Sequence, residues 1–253
     1  MKVIKKWVKN KNGGNLSYYF WSYLIILVLL SFLGNLCALG IEASQYQTIS
    51  KEEFRNFQIS ATCIKRYKKL GRVGCAMFEK KYGPKYGTKA ASIIEDMECF
   101  PVLEKSEVVY EDSWMNARTY GGKRVHEGTD IMAKKNKRGE LSIVSVSDGV
   151  VEKIGWLPLG GYRIGVRSNH GVYFYYAHLY SYAKGIEEGA KVHVGQLLGK
   201  MGDSGYGEEG TVGKFPVHLH FGIYFTAGDK EISVNPYPIL KAMEKPLSTA
   251  RFL

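Results

Sequence analysis

From Val108 onward the chain is a succession of short apolar runs cut by glycine: "LSIVSVSDGVVEKIGW", "GYRIGVRSNHGVYFYYAHL", "GQLLGKMGDSG" and "VHLHFGIYF". Short strands joined by tight turns at such spacing predict an antiparallel sheet or a barrel-like β fold. The 29 glycines and 18 tyrosines point the same way, since aromatic residues suit a pleated surface and glycine supplies the turns. "SNHG", between "YRIGVR" and "VYFYYAHL", reads as a hairpin turn. "SVNPYPILKAM" closes the domain, and Pro236 and Pro238 argue against further strand there.

Within this texture, "GGKRVHEGTDIMA" sets His126 four residues before Asp130. Gly128 and Thr129 are poor helix formers, so a loop feeding a strand, rather than a helix, is expected to bring the two together. Histidine and carboxylate are both metal ligands. "FPVHLHFGIY" places His218 and His220 at i and i+2, on one face of a strand. Two imidazoles aimed at one point among apolar neighbours would need two buried partners if they were merely structural, so metal or catalytic work is the expectation. His178, in "YYAHL", ends another strand-like run. His170, in the "SNHG" turn, and His193, in "KVHVGQ", read as exposed.

Taken together, "HEGTDI", "YYAHL" and "HLHF", in this order and with "GQLLGKMGDSG" between the last two, resemble the M23 (lysostaphin/LytM-type) zinc metallopeptidases. These are bacterial endopeptidases that cut peptide cross-links or stem peptides in peptidoglycan. The resemblance covers roughly Tyr110 to Leu240. It implies a mainly β, antiparallel-sheet catalytic domain in which His126, Asp130 and His220 bind zinc, with His178 and His218 as the catalytic pair. Three protein ligands leave one position open on the metal, where a water becomes acidic near pH 7, and two histidines can move the protons. Tyr162, in "GGYRIG", is a candidate for contacting substrate or transition state, with packing as its alternative. In some family members an upstream asparagine blocks the open position. Asn116, ten residues before His126, is the candidate for that role. A latent or catalytically weak scaffold or binding module is therefore the alternative to an active enzyme. Many family members carry Glu or Gln where this chain has Gly222, on the face of His218 and His220, and a gap is expected there. The loop "GYGEEGTVGKFP" (Gly205–Pro216) is longer than the family's usual connection.

The N-terminal part follows other rules. Leu16 to Gly40 contains no charge, and about 20 apolar residues suffice to cross a bilayer as a helix. Tyr18, Tyr19, Trp21 and Tyr23 sit at its start, where such rings favour the interface. Lys2, Lys5, Lys6, Lys9 and Lys11, in a basic tail over 1–15, should stay cytoplasmic and leave the rest outside. The expectation is a single-pass protein of the bacterial cell membrane with an anchor over 16–40. A cleaved signal peptide, giving a secreted protein, is the alternative, although such segments usually have a shorter apolar run. Five of the +11 net charge lie in that tail, and the remaining +6 suits a polyanionic neighbour such as a cell wall or membrane surface. No basic-aromatic motif calls for nucleic acid. Residues 41–104 read as a helical juxtamembrane segment without chemistry. Ser50 and Glu53 resemble a capping box, "GPKYG" breaks the chain, and "TKAASIIEDMECF" forms a second helix stopped by Pro101. The peptidase-like domain is expected over 105–242, with a tail at 243–253. Cys63, Cys75 and Cys99 are odd in number and outside CxxC spacing, which allows one disulfide at most and argues against a cysteine zinc site.

Overall fold

The protein is described in a computed structural model over residues 24–26, 51–56, 59, 63–64, 83, 86–227 and 230–244. The strands are β1 Val108–Val109, β2 Ala117–Arg118, β3 Arg124–Val125, β4 Thr129–Ala133, β5 Ser142–Val144, β6 Gly149–Leu157, β7 Gly161–Ser168, β8 Val172–Tyr182, β9 Lys191–Val192, β10 Leu197–Met201, β11 His218–Ala227 and β12 Lys230–Val234. Ten of them form one sheet in the order β1-β4-β11-β8-β7-β6-β9, with β12 beside β11 and β10 bridging β5 and β8. Its pairings are antiparallel throughout, and β2 and β3 form a separate ribbon. Among the described residues, α1 Lys51–Arg55, α2 over residues 86–96, and α3 Tyr237–Met243 accompany the sheet. The mainly β, antiparallel reading of the sequence holds, and the "SNHG" turn joins β7 to β8, with Gly171 at φ +82°.

Period-two alternation decides which face of the sheet does what. On β11, Leu219, Phe221, Ile223 and Phe225 are buried in the core, so His218, His220, Gly222 and Tyr224 share the opposite face. On β8, Val172, Phe174 and Tyr176 point into the same core. Phe174 and Phe221 stack there with centroids 6.2 Å apart. Each such side chain contributes about 1.5–3 kcal/mol by leaving water. The core thus clamps β8 and β11 in register and holds the histidine-bearing face rigid.

The expected boundary at 104/105 does not separate two cores. Residues 47–253 form one compact unit, and residues 1–46 another. Phe54, Ile64, Tyr86, Ile93, Met97 and Val102 belong to the same core as the sheet, with Phe54 stacked on Tyr86 at 4.7 Å. α2 also ends before Pro101, because the chain beyond it is taken up by the sheet. The Glu98 amide donates to the Val146 carbonyl at 2.8 Å, the Val144 amide to Pro101 at 3.0 Å and the Leu103 amide to Ser142 at 3.0 Å. The apolar side chains of 86–102 share the core of the sheet. Ser50, Cys75 and most of 16–40 lie outside the described residues. Within 16–40, Leu24–Ile26 are helical and exposed. Among the described residues no helix is long and apolar enough to cross a membrane.

A charged latch fixes α2 to the β7–β8 turn. Asp96, at the end of α2, is buried and accepts from the Ser168 hydroxyl at 2.5 Å and from His170 Nδ1 at 2.6 Å. His170 is otherwise exposed, as its turn position predicted. The hydrogen bond to Asp96 outweighs partial burial and raises its pKa. A raised folded-state pKa stabilises the fold fully below the unfolded value, near 6.5, and that contribution is lost as pH rises through the folded value. His170→Ala is therefore expected to lower the melting temperature more at pH 5.5 than at pH 9. An equal loss at both would mean that the contact is not ionic.

Candidate metal centre and groove

The β11 register carries His220 directly opposite Asp130 of β4 on one side and Ala177 of β8 on the other. His126 follows β3, and its loop runs straight into β4, the arrangement expected from Gly128 and Thr129. Its amide donates to the Asn116 carbonyl at 2.9 Å, and its carbonyl accepts from the Met115 amide at 2.8 Å, so the ribbon fixes the backbone that carries the ring.

His126 Nε2, Asp130 Oδ1 and His220 Nδ1 stand 2.9 Å from one another in each pairing. His126 Nδ1 lies 3.0 Å from the Ser113 carbonyl. A carbonyl only accepts, so Nδ1 carries the proton and Nε2 presents its lone pair to the cluster. Three electron-pair donors converge where few protons are available to join them, which is the environment a cation satisfies. Asp130 Oδ2 accepts from Arg118 at 2.7 Å, leaving Oδ1 to the cluster. The glycine of "HEGTD" is required for space. A Cβ on Gly128 would sit 2.5 Å from His220 Cε1 and 2.6 Å from its Nε2, displacing the ring. Two imidazoles and a carboxylate are a zinc donor set with a position to spare, and these residues fit that ion.

The two further histidines approach from separate elements. His218 is two residues from His220 on the same face, its Nε2 3.8 Å from Asp130 Oδ1. Its Nδ1 donates to the Pro216 carbonyl at 2.7 Å. His178 arrives by a different device. Between the pairs Ile164–Tyr176 and Tyr162–Leu179, β8 has one residue more than β7, and His178 adopts φ +63° at that bulge. Bulges re-aim side chains, and left-handed backbone at a non-glycine residue is a strain retained at sites. The sequence reading ended the strand at His178, whereas β8 continues to Tyr182. His178 Nδ1 donates to the Ser204 carbonyl at 2.8 Å, and its ring lies 4.7 Å from that of His218. Both Nδ1 atoms are thus occupied by carbonyls, which leaves both Nε2 atoms as bases. Phe215 covers them, 4.6 Å from His178 and 5.0 Å from His218.

Electrostatics favours neutral imidazoles beside an ionised carboxylate. Burial pushes His178 well below the usual histidine value, and His218 and His220 add to it. Burial also lowers His218 and His220. Burial alone would raise the Asp130 carboxyl. The polar contacts with the His126 and His220 rings, and the nearness of His218, outweigh it and hold the group well below the carboxylate range.

Three residues singled out in the sequence have these places in the structure. Tyr162 is not among the residues lining the groove. It packs on the core, edge-on to Trp156 at 5.0 Å and Tyr182 at 5.8 Å, because its strand position faces those rings. The groove's tyrosines are Tyr175 and Tyr206. Asn116 is exposed in the turn before β2 and reaches the cluster only through its backbone, as His126's acceptor. The side chain that reaches Asp130 is Arg118. Gly222 leaves no gap, since a Cβ there would meet the Tyr224 ring at 2.6 Å, and the Tyr224 hydroxyl donates to the Glu127 carbonyl at 3.1 Å. The long loop Gly205–Pro216 folds back on itself, with the Gly205 amide on the Thr211 carbonyl at 2.9 Å, and supplies Tyr206 and Phe215. Sequence reasoning also missed Arg118 and Arg124. Arg124 stands two residues before His126, and that period-two spacing was the available signal.

An antiparallel sheet that offers a His, Asp, His donor set in a groove, with two further histidines beside it, has the arrangement of a metal centre with neighbouring proton-transfer groups. Residues 124–236 match the model of Peptidase family M23. An L-Ala–D-Glu endopeptidase of Bacillus subtilis (strain 168) is 47% identical over 146 residues, 58% of this chain and 44% of the relative. The glycyl-glycine endopeptidase ALE-1 of Staphylococcus capitis is 31% identical over 100 residues, 39% of this chain and 25% of the relative. A crystal structure from Ruminococcus gnavus ATCC 29149, described as a candidate glycyl-glycine endopeptidase lytM, is 43% identical. It aligns with a TM-score of 0.58 over 79% of this chain and 89% of its own. The chain belongs to peptidase family M23, whose members are zinc-dependent. It spans less than half the length of either endopeptidase relative.

Proposed function

We propose that this chain is a zinc-dependent endopeptidase that hydrolyses peptide bonds in peptidoglycan. The observation that carries the reading is the convergence of His126, Asp130 and His220 beneath the two neutral imidazoles of His178 and His218. Zinc held by the trio supplies Lewis acidity and a water that ionises near neutral pH. The chain's own residues do the rest. Arg118, by holding Asp130 Oδ2, leaves Oδ1 to the donor cluster that would hold the ion. His218 and His178, with protons fixed on Nδ1, offer Nε2 to take a proton from the attacking water and return it to the departing amine. Protonated in turn, they stabilise negative charge on the scissile carbonyl. Phe215 and Tyr206 exclude bulk water above them. The names of the relatives support two substrates, an L-Ala–D-Glu bond and a glycyl-glycine bond.

The setting belongs to the same proposal. The uncharged run over 16–40, following a lysine-rich tail, supports an anchor that holds residues 41–253 outside the membrane, with signal cleavage as the alternative. The test incubates the purified full chain, with zinc, on peptidoglycan sacculi and on a synthetic pentaglycine, and reads new amino termini by mass spectrometry. The expected result is new termini that vanish with a chelator and return with zinc. Intact substrates throughout would overturn the reading.

A further inference from the structure

We propose that Arg124, with Arg118 beside it, is a carboxylate-binding wall of the groove, so that the bond cut is flanked by a residue bearing a free carboxylate. The inference rests on the endopeptidase reading above and narrows its substrate. In the β2–β3 ribbon, Arg118 is the direct cross-strand partner of Arg124. Like charges placed opposite one another destabilise a strand pair, so the arrangement costs the fold something. Both side chains line the groove with the five histidine and aspartate residues of the centre. Arg118 has an acid to answer it, Asp130. Arg124 is half-buried and, among the described residues, faces no carboxylate. Its Nε donates to the Tyr120 carbonyl at 3.3 Å and its NH2 to the Tyr206 hydroxyl at 3.1 Å, both neutral.

Those neutral partners are themselves stiff. Tyr120 and Tyr206 stack with centroids 4.2 Å apart and planes 5° from parallel, and the Tyr120 hydroxyl donates to the Tyr206 carbonyl at 2.6 Å. The guanidinium is therefore held in place before any ligand arrives, which lowers the cost of binding. A planar guanidinium pairs with a carboxylate through two parallel hydrogen bonds. Asp130, the acid that shares the groove with both arginines, is already committed to the donor cluster and to Arg118, so the wall retains surplus positive charge. A glycyl-glycine bridge has no side chain to offer it. A glutamyl residue in a peptide chain, joined through either of its two carboxyls, leaves the other free unless it is amidated. The wall thus selects the alanyl–glutamyl kind of bond over the glycyl kind.

The test uses L-Ala-γ-D-Glu-L-Lys and the same peptide with its free glutamyl carboxyl amidated. With the zinc-loaded full chain, kcat/KM should favour the acid by roughly 10- to 100-fold, the effect of one charge-assisted pair. Arg124→Gln should bring that ratio to about one without lowering the melting temperature, because it removes a repulsive cross-strand pair. Arg124→Lys, which keeps the charge and loses the fork, should retain part of the ratio. Calorimetric binding of both peptides to the metal-free protein reads the same preference without chemistry. A ratio near one in the unaltered chain, a ratio preserved in Arg124→Gln, or equal binding by the metal-free protein would each overturn the inference. Preferential binding of the acid with hydrolysis of neither peptide would leave the wall standing and sink the endopeptidase reading.

Discussion

Replacing His220 by alanine is expected to empty the metal centre. The unaltered chain should hold about one zinc per molecule and His220→Ala close to none, because the two remaining donors rarely retain the ion. Turnover on peptidoglycan should fall with it by at least about 10³-fold, since the metal's several kcal/mol of transition-state stabilisation are lost. The fold should survive. His220 lies on the face of β11 opposite Leu219 and Phe221, so the core is untouched. In the metal-free state the variant should melt no lower than the unaltered chain, because it removes one of three donors crowded 2.9 Å apart. Elemental analysis, differential scanning calorimetry and release of amino groups from sacculi read the three consequences separately. A full equivalent of zinc in the variant would refute the ligand assignment.

His178→Ala should behave differently. Its Nδ1 is committed to the Ser204 carbonyl and its ring stands beside His218, so zinc should stay at one per chain while turnover falls on the order of 10²–10⁴-fold. Alanine is poorly suited to φ +63°, so a modest drop in melting temperature is expected from the backbone alone. His178→Asn separates the two effects, since asparagine tolerates the left-handed region. It should restore the melting temperature and leave the rate low. Near-normal hydrolysis by either variant would remove His178 from the chemistry, and loss of zinc would make it a ligand.

The donor trio and the strand pair carrying it were legible because they follow local rules. His218 and His220 share a face by period two, and the glycine and threonine before Asp130 exclude a helix. The M23 resemblance then assigned the five positions that the sheet brings together. What was not legible depends on pairings distant in sequence or on broken periodicity. Arg118 meets Asp130 only because β2 and β3 fold into a ribbon over β4. Phe215 and Tyr206 reach the groove on a loop whose shape is set by its own hydrogen bonds. For Tyr162 the choice between groove and packing stayed open, because nothing in "GGYRIG" tells which face of β7 meets the core once a bulge intervenes. The segment "TKAASIIEDMECF" read as a helix outside the peptidase-like domain because its apolar residues do not reveal that their partners lie under a sheet beginning many residues later.

The bulge in β8 has a consequence for inheritance. Before it, the buried positions are even-numbered, Val172, Phe174 and Tyr176, and after it the buried residue is Leu179. Take one residue out between them and the alternation becomes regular again, with Leu179 still facing inward. The sheet has no need of the extra residue; only the groove does. A single-codon deletion is therefore expected to leave a protein that folds yet is silent.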